Sequence, residues 1–214
     1  MKRIRPSIKK QIEKHFRKNN NNEIALIKYP KNKLAEIIGK SSEHSANPAP
    51  KKIKEYREKL RKKIKNYKIE NETTIHTHRK YSIPSKSDLI KLLLDNISEN
   101  KSSFHIATMV DKKVGAITSV KLGNLKTSFV DQFTNLILER KNPKEFSTDA
   151  SNLIFKEYLL FKARVKKDKN VLDELEKKSN PKDVLEFYKY LGFNIRIKLT
   201  KGYKLNNELQ VIKE

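Results

Sequence analysis

Two histidines separated by a single residue, with an aspartate ten residues after the second, constrain this chain more than any other feature. His76 and His78 end a segment rich in β-branched residues, 73–78, which predicts a strand. Side chains two residues apart in a strand point to the same face, so both imidazoles are directed at one spot. Asp88 stands at the start of an apolar-periodic run that predicts a helix, and it can supply a third ligand. Since catalytic zinc takes three such ligands and a water molecule, the sequence predicts a zinc site at these three residues.

The surroundings of this motif restrict the chemistry further. The chain contains no cysteine, which excludes disulfides and thiolate metal sites, so any metal depends on His, Asp or Glu. We expect Ser87 to cap the helix that begins near Asp88, because serine is a favoured residue at helix N-termini.

The pattern His76-x-His78 followed by Ser85-x-x-Asp88 resembles the signature of the JAB/MPN metallopeptidases, also called JAMM proteases. In that family the His-x-His pair and the later Asp bind zinc, an upstream Glu polarises the zinc-bound water, and the Ser supports the oxyanion. The resemblance implies that Glu23, at the start of an apolar run behind an N-terminal helix, is the catalytic Glu and that Ser85 is the oxyanion residue. It further implies hydrolysis of a peptide or isopeptide bond, with a ubiquitin-like protein as substrate.

The sequence departs from the family pattern at two points. Arg79 stands where the family usually has Pro, and the gap between His78 and Ser85 is one residue shorter than usual. A catalytically inactive MPN-like scaffold that binds a partner is therefore a second interpretation. A third is a basic nucleic-acid-binding protein in which the motif is accidental, and it predicts tight binding with a steep salt dependence.

The charge of the chain favours acidic partners. Lys and Arg number 49 against 25 Asp and Glu, which gives a formal net charge of +24. Such an excess suits nucleic acid or an acidic protein. The segment 51–68 is the best single candidate for an anion-binding surface, through Lys52, Lys59, Lys62 and Lys63. A solvated outer helix face accounts for the same lysines, so both interpretations stay open.

Periodicity predicts the fold class. Helical spacing of apolar residues occurs in 1–19, 51–68 and several segments after 125, and strand patterns occur in 23–29, 73–78, 103–110, 114–122 and 193–199. We predict an α+β fold with α/β character: a curved mixed β-sheet flanked by helices, JAB/MPN-like, with a helical C-terminal extension. Residues 1–124 are predicted to form the metallopeptidase core. Residues 125–214 are predicted to be mostly helical, to end in a short strand pair and to pack on the core.

The sequence also bears on location. No apolar stretch approaches the roughly 18 residues that a membrane-spanning helix requires. The N-terminus is basic, but no apolar signal core follows it. We therefore expect a cytoplasmic protein that does not enter the membrane.

Overall fold

A computed structural model describes residues 6–18, 23–29, 36–40, 50–79, 81–139, 142–167 and 180–214. Within these ranges the chain forms six α-helices and eight strands. The helices are α1 (Pro6–Lys18), α2 (Pro50–Lys63), α3 (Lys86–Glu99), α4 (Thr127–Leu138), α5 (Pro143–Arg164) and α6 (Pro181–Tyr190). The strands are β1 (Ile24–Lys28), β2 (Glu36–Lys40), β3 (Thr73–Arg79), β4 (Ser103–Val110), β5 (Lys113–Leu122), β6 (Phe193–Leu199), β7 (Tyr203–Leu205) and β8 (Val211–Lys213).

Six strands form one mixed sheet in the order β2-β1-β3-β4-β5-β6. β3 and β4 are parallel, and the other neighbours are antiparallel. A parallel pair needs a crossover connection, and α3 provides it, so β3, α3 and β4 form a βαβ unit. The mixed sheet and its flanking helices confirm the predicted α+β class. A JAB/MPN-like arrangement of these elements stays a prediction.

Different helices cover the two faces of the sheet. On the first face, which we call the α1 face, Ile8, Ile12 and Phe16 pack on the sheet residues Leu26 and Ile75. The spacing of four residues along α1 is the helical periodicity seen in the sequence.

The opposite face, here the α3 face, carries the larger core. Its cluster joins α3, α4, α5 and α6 to strand residues such as Ile106 and Val120. At the β1 end of this face, Tyr56 and Leu60 of α2 pack on Ile27. The aromatic residue of α2, Tyr56, therefore contributes to the core.

The C-terminal part of the chain adds a strand to the same sheet. β6 pairs with β5 along its whole length, and β7 and β8 form a separate two-stranded pair. The turn between β4 and β5 contains Asp111 and Lys112 with φ of 48° and 65°. Two successive left-handed residues are typical of a tight hairpin, and here they join the two strands expected in 103–110 and 114–122. A domain boundary at residue 124 stays a prediction.

A partly buried ion-pair network holds α2 against the sheet. Arg57 Nη2 lies 3.0 Å from Glu72 Oε2 and 2.7 Å from Glu99 Oε2. Lys101 Nζ lies 3.2 Å from both carboxylates, and the Tyr67 hydroxyl donates a hydrogen bond to Glu72. The Arg57 hydrogen bond holds the pKa of Glu99 at about 2, although burial opposes this shift. The network joins α2, the start of β3 and the end of α3.

Candidate metal centre

β3 directs two imidazoles to the α3 face of the sheet. His76 and His78 alternate with the buried residues Ile75 and Thr77, and their side chains are 14% and 17% exposed. The two rings stack with centroids 5.1 Å apart and an interplanar angle of 10°. The local cause is the two-residue repeat of an extended chain, which puts both rings on one face.

The N-terminus of α3 brings Asp88 to these rings. Ser85 is the N-cap residue, and its Oγ accepts a hydrogen bond from the Asp88 N–H at 3.3 Å. The Asp88 carboxylate accepts one from the Ser85 N–H at 2.7 Å, which completes a capping box. The prediction that Ser87 caps this helix is wrong. Ser85 occupies the cap because the residue three positions later must carry the returning carboxylate, and that residue is Asp88.

The three predicted ligands meet at one point. Asp88 Oδ1 lies 3.3 Å from His76 Nε2, and Asp88 Oδ2 lies 3.4 Å from His78 Nε2. One ligand atom from each residue lies within 4.8 Å of the other two. These three residues, which we call the metal group, can hold a metal ion.

The hydrogen bonding of His76 fits a metal ligand. Its Nε2 atom is buried and has no hydrogen-bond partner within the described ranges. Leaving a buried nitrogen without a partner costs free energy, and native structures rarely leave such atoms without a reason. A metal ion beside Asp88 would satisfy this atom. The ring of Phe104, with its centroid 5.0 Å from that of His76, closes the other side.

The protonation states of His76 and Asp88 suit a cation, whereas His78 favours a proton that a metal ion would have to displace. Burial lowers the pKa of His76 to about 4, so its imidazole is neutral at pH 7, which is the form that binds metals. For Asp88, burial opposes ionisation, but the hydrogen bond from His78 and the two imidazoles hold its pKa below the usual range. Burial also disfavours the charged form of His78, yet Asp88 and then Glu23 outweigh it and raise the pKa of His78.

Glu23 lies beside the same site. β1 and β3 pair with Ala25 opposite His76, and continuing this register by two residues sets Glu23 opposite His78. Directly opposed residues of an antiparallel pair point to the same face, so Glu23 faces the metal group. It is only 7% exposed, and its Oε1 accepts a hydrogen bond from the Arg79 N–H at 3.3 Å.

Ser85 is hydrogen-bonded to Asp88, one of the candidate metal ligands. Its Oγ donates a hydrogen bond to Asp88 Oδ2 at 2.8 Å and lies 2.8 Å from Ser87 Oγ. The hydroxyl therefore fixes the orientation of the Asp88 carboxylate. The predicted role of Ser85 at an oxyanion stays a prediction.

The five residues predicted for the zinc site thus lie together: Glu23, His76, His78, Ser85 and Asp88. The structure adds neighbours that sequence patterns did not indicate. Tyr188 on α6 is buried, and burial together with the charge of Asp88 raises its pKa above the ordinary value. Lys91, one turn after Asp88, contributes to the lowered pKa of His76. Lys91 could have been predicted near the site, because it follows Asp88 by three residues on one helix. Tyr188 could not, because the position of α6 depends on tertiary packing.

Comparison with known proteins gives no family. No protein-family profile matches the chain, and no curated protein matches it. Among solved structures, the ORF273 protein from the Acidianus two-tailed virus aligns over 97% of this chain and 93% of its own. The two are 10% identical with a TM-score of 0.37, a similarity that does not indicate a shared fold.

The helices were also compared with the requirements for a membrane span. In the described part of the chain, none of them combines the length and the apolar character needed to cross a bilayer.

Proposed function

We propose that this protein is a JAMM-type zinc metallopeptidase that hydrolyses a peptide or isopeptide bond, with a ubiquitin-like protein as the substrate class. One observation carries the proposal. The Nε2 atom of His76 makes no hydrogen bond to a described residue and lies 3.3 Å from Asp88 Oδ1, in a group of two imidazoles and one carboxylate. Extension of the β1–β3 register sets a second carboxylate, that of Glu23, opposite His78. This set has the composition of a catalytic zinc site with an adjacent base.

The types of donor support the choice of zinc. In a tetrahedral site with bonds of about 2.0–2.1 Å, ligand atoms lie roughly 3.3–3.4 Å apart. His76 Nε2 lies 3.3 Å from Asp88 Oδ1 and His78 Nε2 lies 3.4 Å from Asp88 Oδ2, so each imidazole is at a distance from one carboxylate oxygen that a shared ion or a direct ion pair would both give. Two histidines and one carboxylate also leave a fourth position open, as catalytic zinc requires.

The side chains around this group support amide hydrolysis. A zinc ion bound here would lower the pKa of a water molecule and polarise a carbonyl group. Glu23 accepts the proton and later gives it to the leaving amine. Ser85 donates a hydrogen bond to the developing oxyanion, and for this its hydroxyl changes partner from Asp88 to the substrate.

The choice of substrate rests on the resemblance of the His-x-His and Ser-x-x-Asp motifs to the JAMM signature. The net charge of +24 supports a substrate or partner with an acidic surface. An acidic surface on the substrate would speed its association by electrostatic steering.

Zinc content is the first test. We expect about one zinc per chain in the purified protein, measured by plasma mass spectrometry, and none in His76→Ala/His78→Ala. His15→Ala, a half-buried histidine on α1, is the matched control and keeps its zinc. A folded wild type without zinc that also takes none up on titration would refute the proposal.

Activity is the second test. We expect wild-type protein to cleave isopeptide-linked ubiquitin dimers or fluorogenic peptide amides. Glu23→Gln should keep its zinc and lose cleavage, because the amide cannot accept the proton. Stoichiometric zinc without cleavage of any probe would refute the peptidase activity, whereas a folded protein without stoichiometric zinc would favour the inactive scaffold.

A further inference from the structure

A second feature lies at the far end of the sheet and on its opposite face. Cross-strand pairing joins Ile75, His105, Ser119 and Arg196 through β3, β4, β5 and β6, so these side chains share the α1 face. The hydrogen-bond distance of 2.9 Å between His105 Nδ1 and Ser119 Oγ agrees with this. His76 belongs to the α3 face, so this surface is separate from the metal group.

Three cations stand on this part of the α1 face. Lys121 lies on β5, and Arg196 and Lys198 lie on β6, all exposed. Arg196 pairs with Ser119, and Lys121 follows Ser119 by two residues on β5. Arg196 and Lys121 are therefore diagonal neighbours whose Cα atoms lie about 7–8 Å apart. Among the residues that the structure describes, no carboxylate forms an ion pair with any of the three. Like charges set side by side repel, and a bound anion removes that cost.

A cleft opens next to these cations. It has a volume of about 480 Å³, and its lining includes Asn124, Lys189, Asn194 and Arg196. Gly123 lies in the wall, where a Cβ atom would come within 2.4 Å of Asn194 Nδ2, so a side chain at this position would displace Asn194. The volume lies within the range of small-ligand sites, about 300–1,000 Å³. Its charged side chains are cationic, and its two amides offer both donors and acceptors.

We propose that this cleft and the adjoining cations of β5 and β6 bind the phosphate backbone of a nucleic-acid strand. Arg196 and Lys198 lie two residues apart on one edge strand, about 7 Å along the chain, which suits a row of phosphates that repeats at regular intervals. Arg and Lys are the usual phosphate contacts, and the amides of Asn124 and Asn194 suit sugar or base edges. The surface goes beyond the peptidase proposal and does not depend on it.

Protection of the sheet edge, or an acidic protein partner, would also place cations on β5 and β6, but each predicts a different binding result. Charged side chains on an edge strand protect a sheet from aggregation, and that role predicts no localised binding of nucleic acid. An acidic protein partner would be bound through charge alone, so an acidic polypeptide should compete for the site. The amides and the concave cleft favour a nucleotide strand over a flat acidic surface.

The test measures binding of a fluorescein-labelled single-stranded oligonucleotide by fluorescence anisotropy between about 50 and 200 mM salt. We expect Lys121→Glu/Arg196→Glu/Lys198→Glu to weaken binding by roughly 10- to 100-fold at low salt. We also expect the slope of log affinity against log salt to fall by about two, because each phosphate contact on a single strand contributes roughly 0.7.

The matched control carries the same change in net charge on three exposed lysines that do not line the cleft and do not belong to α2, as Lys112→Glu/Lys156→Glu/Lys204→Glu. It should lose less than about threefold, since long-range charge contributes less than direct phosphate contacts. Equal losses in the two variants, or wild-type binding by the β5–β6 variant, would overturn the proposal. So would displacement of the oligonucleotide by polyglutamate as effectively as by unlabelled oligonucleotide of equal charge.

Two further variants keep the result interpretable. Lys121→Gln/Arg196→Gln/Lys198→Gln removes charge without reversing it and should show an intermediate loss, with folding checked by circular dichroism. His76→Ala/His78→Ala should bind the oligonucleotide as wild type does. Loss of zinc with retained nucleic-acid binding, or the reverse, therefore separates this proposal from the peptidase proposal.

Discussion

At the scale of single residues, Asp88 does two things with one carboxylate. Its Oδ2 atom accepts hydrogen bonds from the Ser85 N–H and hydroxyl, and the same atom lies 3.4 Å from His78 Nε2. Helix capping thus holds the carboxylate in the orientation that the two imidazoles require. Such supporting hydrogen bonds around metal ligands affect metal affinity strongly.

Replacement of Ser85 tests this coupling. We expect Ser85→Ala to lower the free energy of unfolding of the metal-free protein by about 1 kcal/mol, because the N-cap is lost. Zinc affinity should fall by roughly 10- to 100-fold, because Asp88 loses a donor. Chemical denaturation and competition with a zinc chelator measure the two effects. Ser85→Thr keeps the hydroxyl and should restore most of both, and equal zinc affinity in Ser85→Ala and wild type would contradict the coupling.

His105 supplies a pH dependence of stability. Burial, helped by Lys121, lowers the pKa of His105 to about 4. The unfolded chain binds a proton near pH 6.5 while the folded protein does not, so stability is full above pH 6.5 and is lost as the pH falls towards 4. Between pH 7 and pH 5 this residue should cost about 2 kcal/mol of unfolding free energy.

Denaturation at pH 7 and pH 5 in the presence of a metal chelator measures this loss. His105→Gln should show a loss that is smaller by about 2 kcal/mol than that of wild type. His15→Gln, on α1, is the control and should follow wild type. An unchanged pH dependence in His105→Gln would show that the buried imidazole is not responsible.

At the scale of elements, α2 is held to its neighbours by ion pairs that its own sequence does not indicate. Arg57 lies among the many charges of a helix whose polar residues indicated a solvated face. In the structure it contacts Glu72, whose side chain is 0% exposed, and Glu99 at the end of α3. Local periodicity could not predict this network, because its members come from three separate segments.

Glu72→Gln tests the network. We expect a loss of about 3–4 kcal/mol in unfolding free energy, because Arg57 and Lys101 stay buried with one carboxylate fewer. Glu70→Gln is the matched control two residues away. Its ion pair with Lys68 is exposed and spans 3.5 Å, so we expect less than about 0.5 kcal/mol. Similar losses in the two variants, measured by urea denaturation, would argue against the network.

The predictability of the site follows from how local its parts are. The two-residue repeat of a strand was enough to predict that His76 and His78 share a face. The start of the apolar-periodic run was enough to place Asp88 at a helix N-terminus. The position of Glu23 beside His78 needed the pairing of β1 with β3, two strands separated by β2 and α2. The resemblance to a known signature supplied that link, since no pattern in the sequence states which strands are neighbours.

At the scale of the whole molecule, the metal group lies on one face of the sheet and the cations of β5 and β6 lie on the opposite face. The α+β class was predictable, because alternating helical and strand periodicities run along the chain. The place of β6 at the edge of the main sheet was not, because its alternation fits any half-buried strand.

Metal binding should be visible in global stability. A ligand that binds only the folded protein raises the free energy of unfolding, by about 2.7 kcal/mol when its free concentration is 100 times its dissociation constant. We expect added zinc to raise the melting temperature in differential scanning fluorimetry, and a chelator to reverse the rise. His76→Ala/His78→Ala should show no rise, and an equal rise in that variant would place zinc binding elsewhere.

The three candidate metal ligands all fall within residues 76–88, inside one β-strand and the first turn of the next helix. The loop that the metal would close is therefore short, and its entropy of closure is small. A chain emerging from the ribosome could assemble the whole donor set long before α6 and β6 are synthesised. Zinc binding as proposed would therefore not depend on completion of the sheet.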